Sequence, residues 1–388
     1  MNKTIPFVID HLDPLGQGVS KRVSQDKKNT DKKQSTITFI PKTLPGEQGT
    51  ATVIKSSKGV EFAELATLSH ISEKRIESEC VHYAQCSGCD YLHVSYPDEL
   101  VFKKNALLFL LRSFTLNGKQ ISENDIEVIA ASERFAYRNR VQLHYRHKYL
   151  GLINANSDQV LEVPQCRLPS VSLKKAIDQL YADKSWTNDH PGRGHVELYQ
   201  RDGSDEVVVE WNQPYAHGGF SQVNSQMNVA LRQWVENYFK NINFETLLDL
   251  FSGNGNLSDD LIKNKNSKRH MVDMSPWNGM SPVENYLQLD LFNESALESF
   301  QHRSKIKKVD ALLLDPPRKG FPALVEWVNK LSPQTIAYVS CNPVTLTRDL
   351  KSLMAEQKKA KYAIEKIALL DMFPGTQHFE TIVILKKK

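Results

Sequence analysis

The chain has 388 residues, 40% hydrophobic and 24% charged, the balance of a globular protein that can bury a sizeable core; at roughly 100–200 residues a domain it predicts two or three domains. The net charge of +4 permits a nucleic-acid partner without requiring one. No stretch reaches the about 18 uninterrupted apolar residues of a membrane span, and the start, MNKTIPFVIDHLDP, has no apolar signal core, so we expect a cytoplasmic protein with no membrane association.

Residues 1–72 are predicted to form a small β-barrel. Apolar and polar positions alternate between glycine and proline breaks in FVIDHLDPLGQGVSK, STITFIPKTLPGEQGTATVIKSSKG and VEFAEL, which is typical of short strands joined by turns. The intervening SQDKKNTDKKQS is polar, charged and without periodicity, so we predict a long, solvated hairpin loop there.

Residues 73–215 are predicted to form a central domain. It opens with the cysteine cluster CVHYAQCSGC at 80–89, and DELVFKKNALLFLLRSF then predicts a helix over 96–116 that can pack on the next domain. Strand patterns return in VQLHYRHKYLGLI, HVELYQ and EVVVEW, interrupted by a predicted helix in LPSVSLKKAIDQLYADK. Five cysteines in an inferred reducing compartment favour metal binding or catalysis over disulfides.

Residues 216–388 alternate apolar strands with helical stretches, for example in FETLLDLFSGNGNLS, KRHMVDM, VDALLLDPPRKG, TIAYVSCNP and FETIVILKKK. This alternation predicts an α/β domain with a doubly wound, mainly parallel sheet. Ligands of such sheets bind at the carboxyl ends of the strands.

Glycines and acids stand at several of these predicted strand ends. Asp249 is followed by Gly253 and Gly255 in a turn that enters a helix, where glycine lets the backbone approach a ligand closely. Asp273 and Asp290 end two further strands and can accept hydrogen bonds from ribose hydroxyls or an adenine amine. The alternative is that these acids are ordinary strand-end helix caps, and the spacing leaves both open.

LLLDPPRKG places Asp315 after an apolar run, before two prolines that keep the backbone extended. A D-P-P there is similar to the [D/N/S]-P-P-[Y/F] signature of amino-methylating enzymes, but an arginine at the aromatic position disfavours amino methylation. YVSCNP places Cys341 at a strand tip, as a nucleophile or as a small buried core residue. Arg348 could lower the pKa of that thiol or form a structural ion pair.

LLLDPPRKG, YVSCNPVTLTRDL and DMFPGTQHFETIVIL together resemble the RNA 5-methyluridine methyltransferases, which methylate carbon 5 of uracil with S-adenosylmethionine (SAM). The resemblance implies a Rossmann-like methyltransferase domain whose last strand is antiparallel. It implies Cys341 as the nucleophile that adds to carbon 6 and Glu380 as the base that removes the carbon 5 proton. It also implies that SAM is bound by six residues: Gln222, Phe251, Asn256, Asp273, Asp290 and Asp315.

The whole chain, from residue 5 onward, resembles the branch of this family that acts on 23S rRNA. The first 72 residues look like a TRAM domain, an RNA-binding β-barrel. The other four cysteines match the family's [4Fe–4S] ligands: Cys80, Cys86, Cys89 and Cys166. Taken without the resemblance, four thiolates would favour structural zinc over a cluster.

Two departures from the family concern SAM. Asp273 stands where a glutamate is usual, which keeps the hydroxyl-accepting chemistry. Residues 274–289, MSPWNGMSPVENYLQL, are short and carry two prolines, so we expect the family's helix to be missing or distorted there and SAM affinity to be reduced.

RFAYRNRVQLHYRHKYLG interleaves five cations with four aromatic residues, which fits phosphate contacts and base stacking on a sheet face or, alternatively, a solvated β-surface. The expected partner is RNA, 23S rRNA or its precursor, with a single-stranded or loop uracil, and no obligate protein partner is evident. Two alternatives stay open: a tRNA T-loop methyltransferase on the same catalytic domain, and a non-catalytic RNA-binding remnant.

Overall fold

The computed structural model describes residues 3–26, 29–154, 157, 159–201, 203–217, 219, 221–262, 267–277, 285–355 and 362–388. Contacts divide the chain into two compact units. The first comprises residues 1–106, 132–225 and 373–377, and the second comprises residues 107–131, 226–372 and 378–388. The three domains expected from the sequence remain a prediction. Within the described part of the chain, no helix is long and apolar enough to cross a membrane.

The N-terminal part of the first unit is a six-stranded sheet with strand order β1-β5-β6-β4-β3-β2. The strands are β1 (Thr4–Val8), β2 (His11–Leu12), β3 (Gly18–Asp26), β4 (Asn29–Ile40), β5 (Gln48–Ser57) and β6 (Val60–His70). Alternate side chains, among them Ile5, Phe7 and Ile40, form its core. The prediction of a long loop over 24–35 is wrong, because β3 and β4 remain paired as far as Asp26 and Asn29. The tip of that hairpin, residues 27–28, lies outside the described residues.

The next segment carries α1 (Tyr96–Leu111), β7 (Thr115–Leu116), β8 (Lys119–Gln120), a short 3₁₀ helix (Glu123–Asp125) and β9 (Ile126–Ile129). The predicted helix is confirmed, but it ends at Leu111 rather than at 116. Leu107 and Leu111, on its last turns, are fully buried in the core of the second unit.

The rest of the first unit is a five-stranded sheet with order β12-β11-β10-β13-β14, covered by helix α2. Its elements are β10 (Arg140–Arg146), β11 (Tyr149–Ile153), β12 (Val160–Leu161), α2 (Val171–Ala182), α3 (Trp186–Asp189), β13 (Arg193–Gln200) and β14 (Val207–Trp211). Leu173 and Ile177 of α2 pack on Leu143 and Val196 of the sheet. The strand patterns and the helix predicted here are confirmed.

The second unit is an α/β fold, as the alternation of strands and helices predicted. Its elements are α4 (Ser225–Phe239), β15 (Thr246–Leu250), α5 (Asp259–Ile262), β16 (Lys268–Asp273), β17 (Tyr286–Gln288), α6 (Ala296–Ser304), β18 (Ala311–Leu314), α7 (Leu324–Leu331), β19 (Thr335–Ser340), α8 (Pro343–Ala355), β20 (Tyr362–Leu370) and β21 (Glu380–Lys387). The strand order is β17-β16-β15-β18-β19-β21-β20, extended past β20 by β9 and by β7-β8.

The strand directions in this sheet bring several strand ends to one edge. β17, β16, β15, β18 and β19 are parallel, so their carboxyl ends meet at one edge. Strands β18 and β19 are buried along their whole length, as expected for parallel strands covered on both faces. β21 is antiparallel to β19, with Thr381 opposite Ser340. The amino end of β21 therefore lies at that same edge, and the predicted antiparallel last strand is confirmed.

The shortened segment at 274–289 is described only at its two ends. β17 begins at Tyr286, while residues 278–284 lie outside the described residues. Of the described positions in this segment, residues 274–277 and 285 are not helical.

Candidate active site

Cys341 lies directly after β19, and its neighbours hold it at the tip of the strand. The hydroxyl of Ser340 accepts a hydrogen bond from the Asn342 N–H at 3.1 Å. The Asn342 side chain accepts from the Val344 N–H at 3.1 Å and donates to the Arg318 carbonyl at 2.9 Å. Pro343 then opens α8, where its fixed φ suits the first helical position. The sequence CNP thus builds a rigid strand-to-helix turn with the half-buried thiol on it.

Three charged residues act on this thiol. Asp315 follows β18 directly, and Glu380, 3% exposed, is the first residue of β21, so both lie at the edge where β19 ends. Arg318 is exposed on the loop between β18 and α7. Among the described residues, Oε2 of Glu380 has no hydrogen-bond partner although it is buried.

The electrostatics of the edge favour protonated groups. Burial, then the carboxylates of Glu380 and Asp315, raise the pKa of the Cys341 thiol to about 12, while the Arg318 guanidinium lowers it. Burial raises the pKa of Asp315 to about 7. Burial, and then the charge of Asp315, raise the pKa of Glu380 well above its usual range. The site therefore holds a thiol that must lose its proton to react, beside two carboxyl groups whose raised pKa values favour their protonated forms.

Arg318 is a residue whose part in this site the sequence analysis did not identify. The sequence indicates Arg348 instead, either as the cation near the thiol or as part of a structural ion pair. Arg348 pairs with the buried carboxylate of Asp349 at 2.7 Å, so the structural alternative holds. The available signal was the position of Arg318, three residues after Asp315 in DPPRKG.

We expect Arg318→Gln to slow the attack by Cys341. The positive charge of Arg318 lowers the pKa of the thiol. Its removal raises that pKa, and below the pKa the thiolate fraction falls tenfold per unit, so we expect a loss of roughly 10–100-fold in kcat/KM near neutral pH. The rate should rise with pH in both proteins, since alkali favours the thiolate and the ionised Glu380, but the curve of the variant should lie at higher pH.

The measurement is the pH dependence of alkylation at the Cys341 peptide, followed by mass spectrometry beside kcat/KM. Arg318→Lys keeps the charge and should recover most of the rate. Lys319→Gln, which removes the next exposed cation, is the matched control. An Arg318→Gln alkylation curve that coincides with that of the parent protein would refute the electrostatic role.

The glycine turn after β15 lies at the same edge of the sheet. Asp273, at the end of β16, accepts hydrogen bonds from the Gly253 N–H at 2.9 Å and from the Ser275 N–H at 2.8 Å. Asp273 therefore organises the turn, which agrees with the capping alternative, and its remaining lone pairs can still accept ligand hydroxyls. Asp249 is 2% exposed inside β15, and burial raises its pKa to about 7.

The other predicted SAM residues differ in how they are held. Phe251 adopts a left-handed backbone with φ of 59° and packs edge-on against Phe321, with ring centroids 5.1 Å apart. The amide of Asn256 is paired reciprocally with that of Asn228 of α4, at 2.9 and 2.8 Å. Asp290 is exposed two residues after β17, where its carboxylate accepts from the Phe292 N–H at 3.0 Å.

Gln222 belongs to the first unit. Its carbonyl accepts a hydrogen bond from the Asn139 side chain at 2.9 Å, and that same amide donates to the Ser225 hydroxyl at 2.8 Å. Asn139 thus fixes the backbone on both sides of Val223.

Four cysteines of the first unit line one cavity of about 50 Å³: Cys80, Cys86, Cys89 and Cys166. Burial raises the pKa of Cys89, and the charges of the other three cysteines raise it further. Lys42 donates to the carbonyls of Tyr83 and Cys86, at 2.5 and 2.7 Å. Four thiols around one small cavity are the donor set that a four-thiolate cluster requires. Across the described ranges, no group of three or more His, Cys, Asp or Glu side chains is arranged to hold a metal ion.

The cation-rich stretch 134–151 presents fewer cations to solvent than the sequence suggested. Arg134 forms an ion pair with Glu99 at 2.7 Å. Arg140, which is 2% exposed, forms an ion pair with Glu197 at 2.8 Å. Tyr137 and Tyr145 are buried. Among its four aromatic residues, Tyr149 is the most exposed, at 49%, so it is the side chain most available for base stacking, and the RNA-binding role of this stretch stays a prediction.

Comparison with known proteins gives three findings. Residues 296–388 match the family model described as tRNA (Uracil-5-)-methyltransferase. Two relatives named 23S rRNA (uracil(1939)-C(5))-methyltransferase RlmD align with the chain. The one from Shewanella frigidimarina is 27% identical over 100% of this chain and 96% of its own length. The one from Vibrio parahaemolyticus is 26% identical over 90% of this chain and 91% of its own length.

The solved structure of Pyrococcus abyssi tRNA (uracil-54, C5)-methyltransferase in complex with S-adenosyl-L-homocysteine is 22% identical in sequence. It superposes with a TM-score of 0.65 over 98% of this chain and 100% of that chain. The likeness shows a shared fold.

Proposed function

This chain belongs to the RNA uracil-5-methyltransferase family, and we propose that it transfers a methyl group from SAM to carbon 5 of a uridine in 23S rRNA. The observation that carries the proposal is Cys341 at the carboxyl end of β19, with Glu380 and Asp315 close enough to raise its pKa. Relatives named for uracil 1939 of 23S rRNA align along the whole chain, so that uracil is the substrate to test first.

The reaction needs covalent catalysis because carbon 5 of uracil is a poor nucleophile. The Cys341 thiolate adds to carbon 6, and the electron pair of the carbon 5–carbon 6 bond moves onto the ring as an enolate. Carbon 5 then attacks the methyl group, whose bond to sulfur breaks. Glu380 takes the carbon 5 proton, the double bond re-forms, and the thiolate leaves. Its raised pKa makes the ionised Glu380 carboxylate a stronger base for this step.

Two further groups at the edge have assigned roles. Arg318 lowers the pKa of the thiol and supplies a positive charge where the enolate oxygen gains negative charge. We assign Asp315, whose pKa burial raises, to a polar contact with the uracil or with the SAM amine. Residues assigned to SAM binding are Gln222, Phe251, Asn256, Asp273, Asp290 and Asp315.

For the first unit we propose a [4Fe–4S] cluster on Cys80, Cys86, Cys89 and Cys166. The support is that all four cysteines line one cavity and match the ligand set of the family, although the described side chains do not stand in a metal-binding arrangement. When bound, such a cluster would join the 80–89 segment to the Cys166 loop, which is a structural role. We assign the N-terminal sheet to RNA binding as a TRAM-type barrel. The target uracil would be flipped out of a single-stranded or loop region. We also propose that the protein acts in the cytoplasm.

Anaerobically purified protein is expected to contain about four iron and four sulfide per chain, because one cubane of that composition uses four cysteine ligands. Cys89→Ser should lower the iron content and the melting temperature together, since Cys89 is buried in the cavity. Cys341→Ser is the matched control and should keep its iron, because Cys341 belongs to the other unit. Stoichiometric zinc without sulfide would show that these cysteines bind a structural zinc ion and not a cluster.

The function is tested with SAM and RNA fragments that carry 5-fluorouridine, taken from 23S rRNA and from a tRNA T-loop. Fluorine at carbon 5 prevents the last proton removal, so an active enzyme stalls as a methylated RNA–protein complex visible on a denaturing gel. We expect the 23S fragment to be trapped. Trapping of the tRNA fragment alone would show that the substrate is tRNA. Absence of both trapping and SAM binding would favour a non-catalytic RNA-binding protein.

A further inference from the structure

Residues 373–377, FPGTQ, connect β20 to β21 and end three residues before Glu380, yet their contacts belong to the first unit. We propose that the segment that follows Cys89 holds this loop and thereby positions Glu380, with Asp90 and Glu99 as positioning residues. The proposal rests on the function proposed above, in which Glu380 removes the carbon 5 proton.

Asp90 holds the loop at two points. The N–H groups of Asp90 and Tyr91 both donate to the Gly375 carbonyl, at 2.8 and 3.0 Å. The carboxylate of Asp90 accepts from the Gln377 N–H at 2.8 Å. A carboxylate that accepts a backbone N–H makes a charge-assisted bond, about twice as strong as a neutral one. Asp90 directly follows Cys89, so the residue that binds the loop is adjacent in the chain to a proposed cluster ligand.

Glu99 holds the loop from helix α1. Its fully buried carboxylate accepts from the Gly375 N–H at 2.7 Å. The same carboxylate is satisfied by Lys103 and Arg134, each at 2.7 Å. Three donors converge on one buried anion, so the position of Gly375 is fixed by a network rather than by a single bond.

Two further carbonyls of the loop are bound as well. Lys103 donates to the Phe373 carbonyl at 3.3 Å, and the Tyr137 hydroxyl donates to the Pro374 carbonyl at 3.1 Å. Four of the five loop residues therefore make a described hydrogen bond to residues of the first unit, within 90–103 or at Tyr137. A connection between two strands needs no such network for its own stability, since most connections lie on the surface.

Gly375 shows how closely the two segments approach. Its φ is +82°, and a Cβ at this position would come within 3.0 Å of a Leu92 methyl group and 3.9 Å of the Cys89 sulfur. The loop backbone therefore lies against the cysteine segment itself. Glu380 is the first residue of β21, so a shift of the loop passes to it through Gln377 and two intervening residues, and a 1 Å misplacement of a catalytic group can cost about 100-fold in rate.

The test separates proton removal from the earlier steps. Asp90→Ala and Gly375→Ala should bind SAM and trap 5-fluorouridine RNA as the parent protein does, because trapping stops before the proton is removed. On ordinary uridine RNA we expect turnover to fall about 100-fold while a methylated covalent complex accumulates. Asp90→Asn keeps an oxygen acceptor and should restore most of the turnover. Iron content is measured in every variant.

Gly118→Ala is the matched control. Gly118 has a φ of +79° in the β7–β8 turn, and a Cβ there would meet no atom within 4 Å, so the backbone strain is similar and the loop is untouched. Unchanged turnover in Asp90→Ala and Gly375→Ala, or turnover that falls in parallel with trapping, would overturn the positioning role. Failure of the parent protein to trap 5-fluorouridine RNA would count against the proposed function instead.

Discussion

Replacing Cys341 with alanine is expected to abolish methylation and the covalent RNA complex together, a loss of about 10⁴-fold or more in kcat. The thiol is the group that activates carbon 5, and Cys341 is the one cysteine of the second unit. The measurement compares methyl transfer and 5-fluorouridine trapping, by denaturing gel and mass spectrometry, in parent and variant.

Two comparisons make this result specific. Cys341→Ser keeps the size of the side chain but offers a hydroxyl with a far higher pKa than a thiol, so it should be almost as inactive as alanine. Both variants should keep SAM binding and the melting temperature, because Cys341 is half-buried on a turn that Ser340 and Asn342 hold. A covalent complex that persists in Cys341→Ala would show that another residue attacks the uracil.

The sequence predicted this part of the molecule well because local pattern and function coincide there. Apolar runs that end in Asp315 and Cys341 predicted strands of a parallel sheet, and the carboxyl ends of such strands share one edge. The resemblance to a family added that the last strand is antiparallel, which brings Glu380 to the same edge from a position 39 residues after Cys341 in the chain. Periodicity alone does not give the direction of a strand.

Side-chain partnerships across long separations were not predictable in the same way. Arg134 and Arg140 read as solvent-facing cations, yet each ends on a buried glutamate at least 35 residues away in sequence. The strands of β3 and β4 run through a stretch whose composition is that of a loop, because backbone pairing in a two-stranded hairpin tolerates polar residues on both faces. In both cases tertiary context overrides the local signal.

The loop at 373–377 belongs to the same class. FPGTQ is part of a motif of the family that the chain resembles, and its glycine and proline predict a turn and nothing more. Its hydrogen bonds reach residues almost 300 positions earlier, as from Gln377 to Asp90. No periodicity or spacing rule connects such distant segments.

Glu380→Gln is expected to stop the reaction one step later than Cys341→Ala does. Glutamine keeps the shape of the side chain but cannot accept the carbon 5 proton, so turnover should fall by about 10²–10⁴-fold while a methylated covalent complex accumulates on ordinary uridine RNA. The measurement is the fraction of RNA bound covalently with time, in parent and variant. Glu365→Gln, a glutamate on β20 that pairs with Tyr238, is the matched control and should turn over normally.

The pH dependence gives an independent check on the same residue. Burial and the charge of Asp315 raise the pKa of Glu380, and only its ionised form can accept the proton, so release of the methylated RNA should be slow at low pH and quicken as pH rises through that raised pKa. In Glu380→Gln the release step should lose this dependence, while trapping of 5-fluorouridine RNA still rises with pH because it needs the Cys341 thiolate. A release step that keeps its pH dependence in the variant would assign the base to a different carboxylate, and Asp315 at the same edge would be tested next.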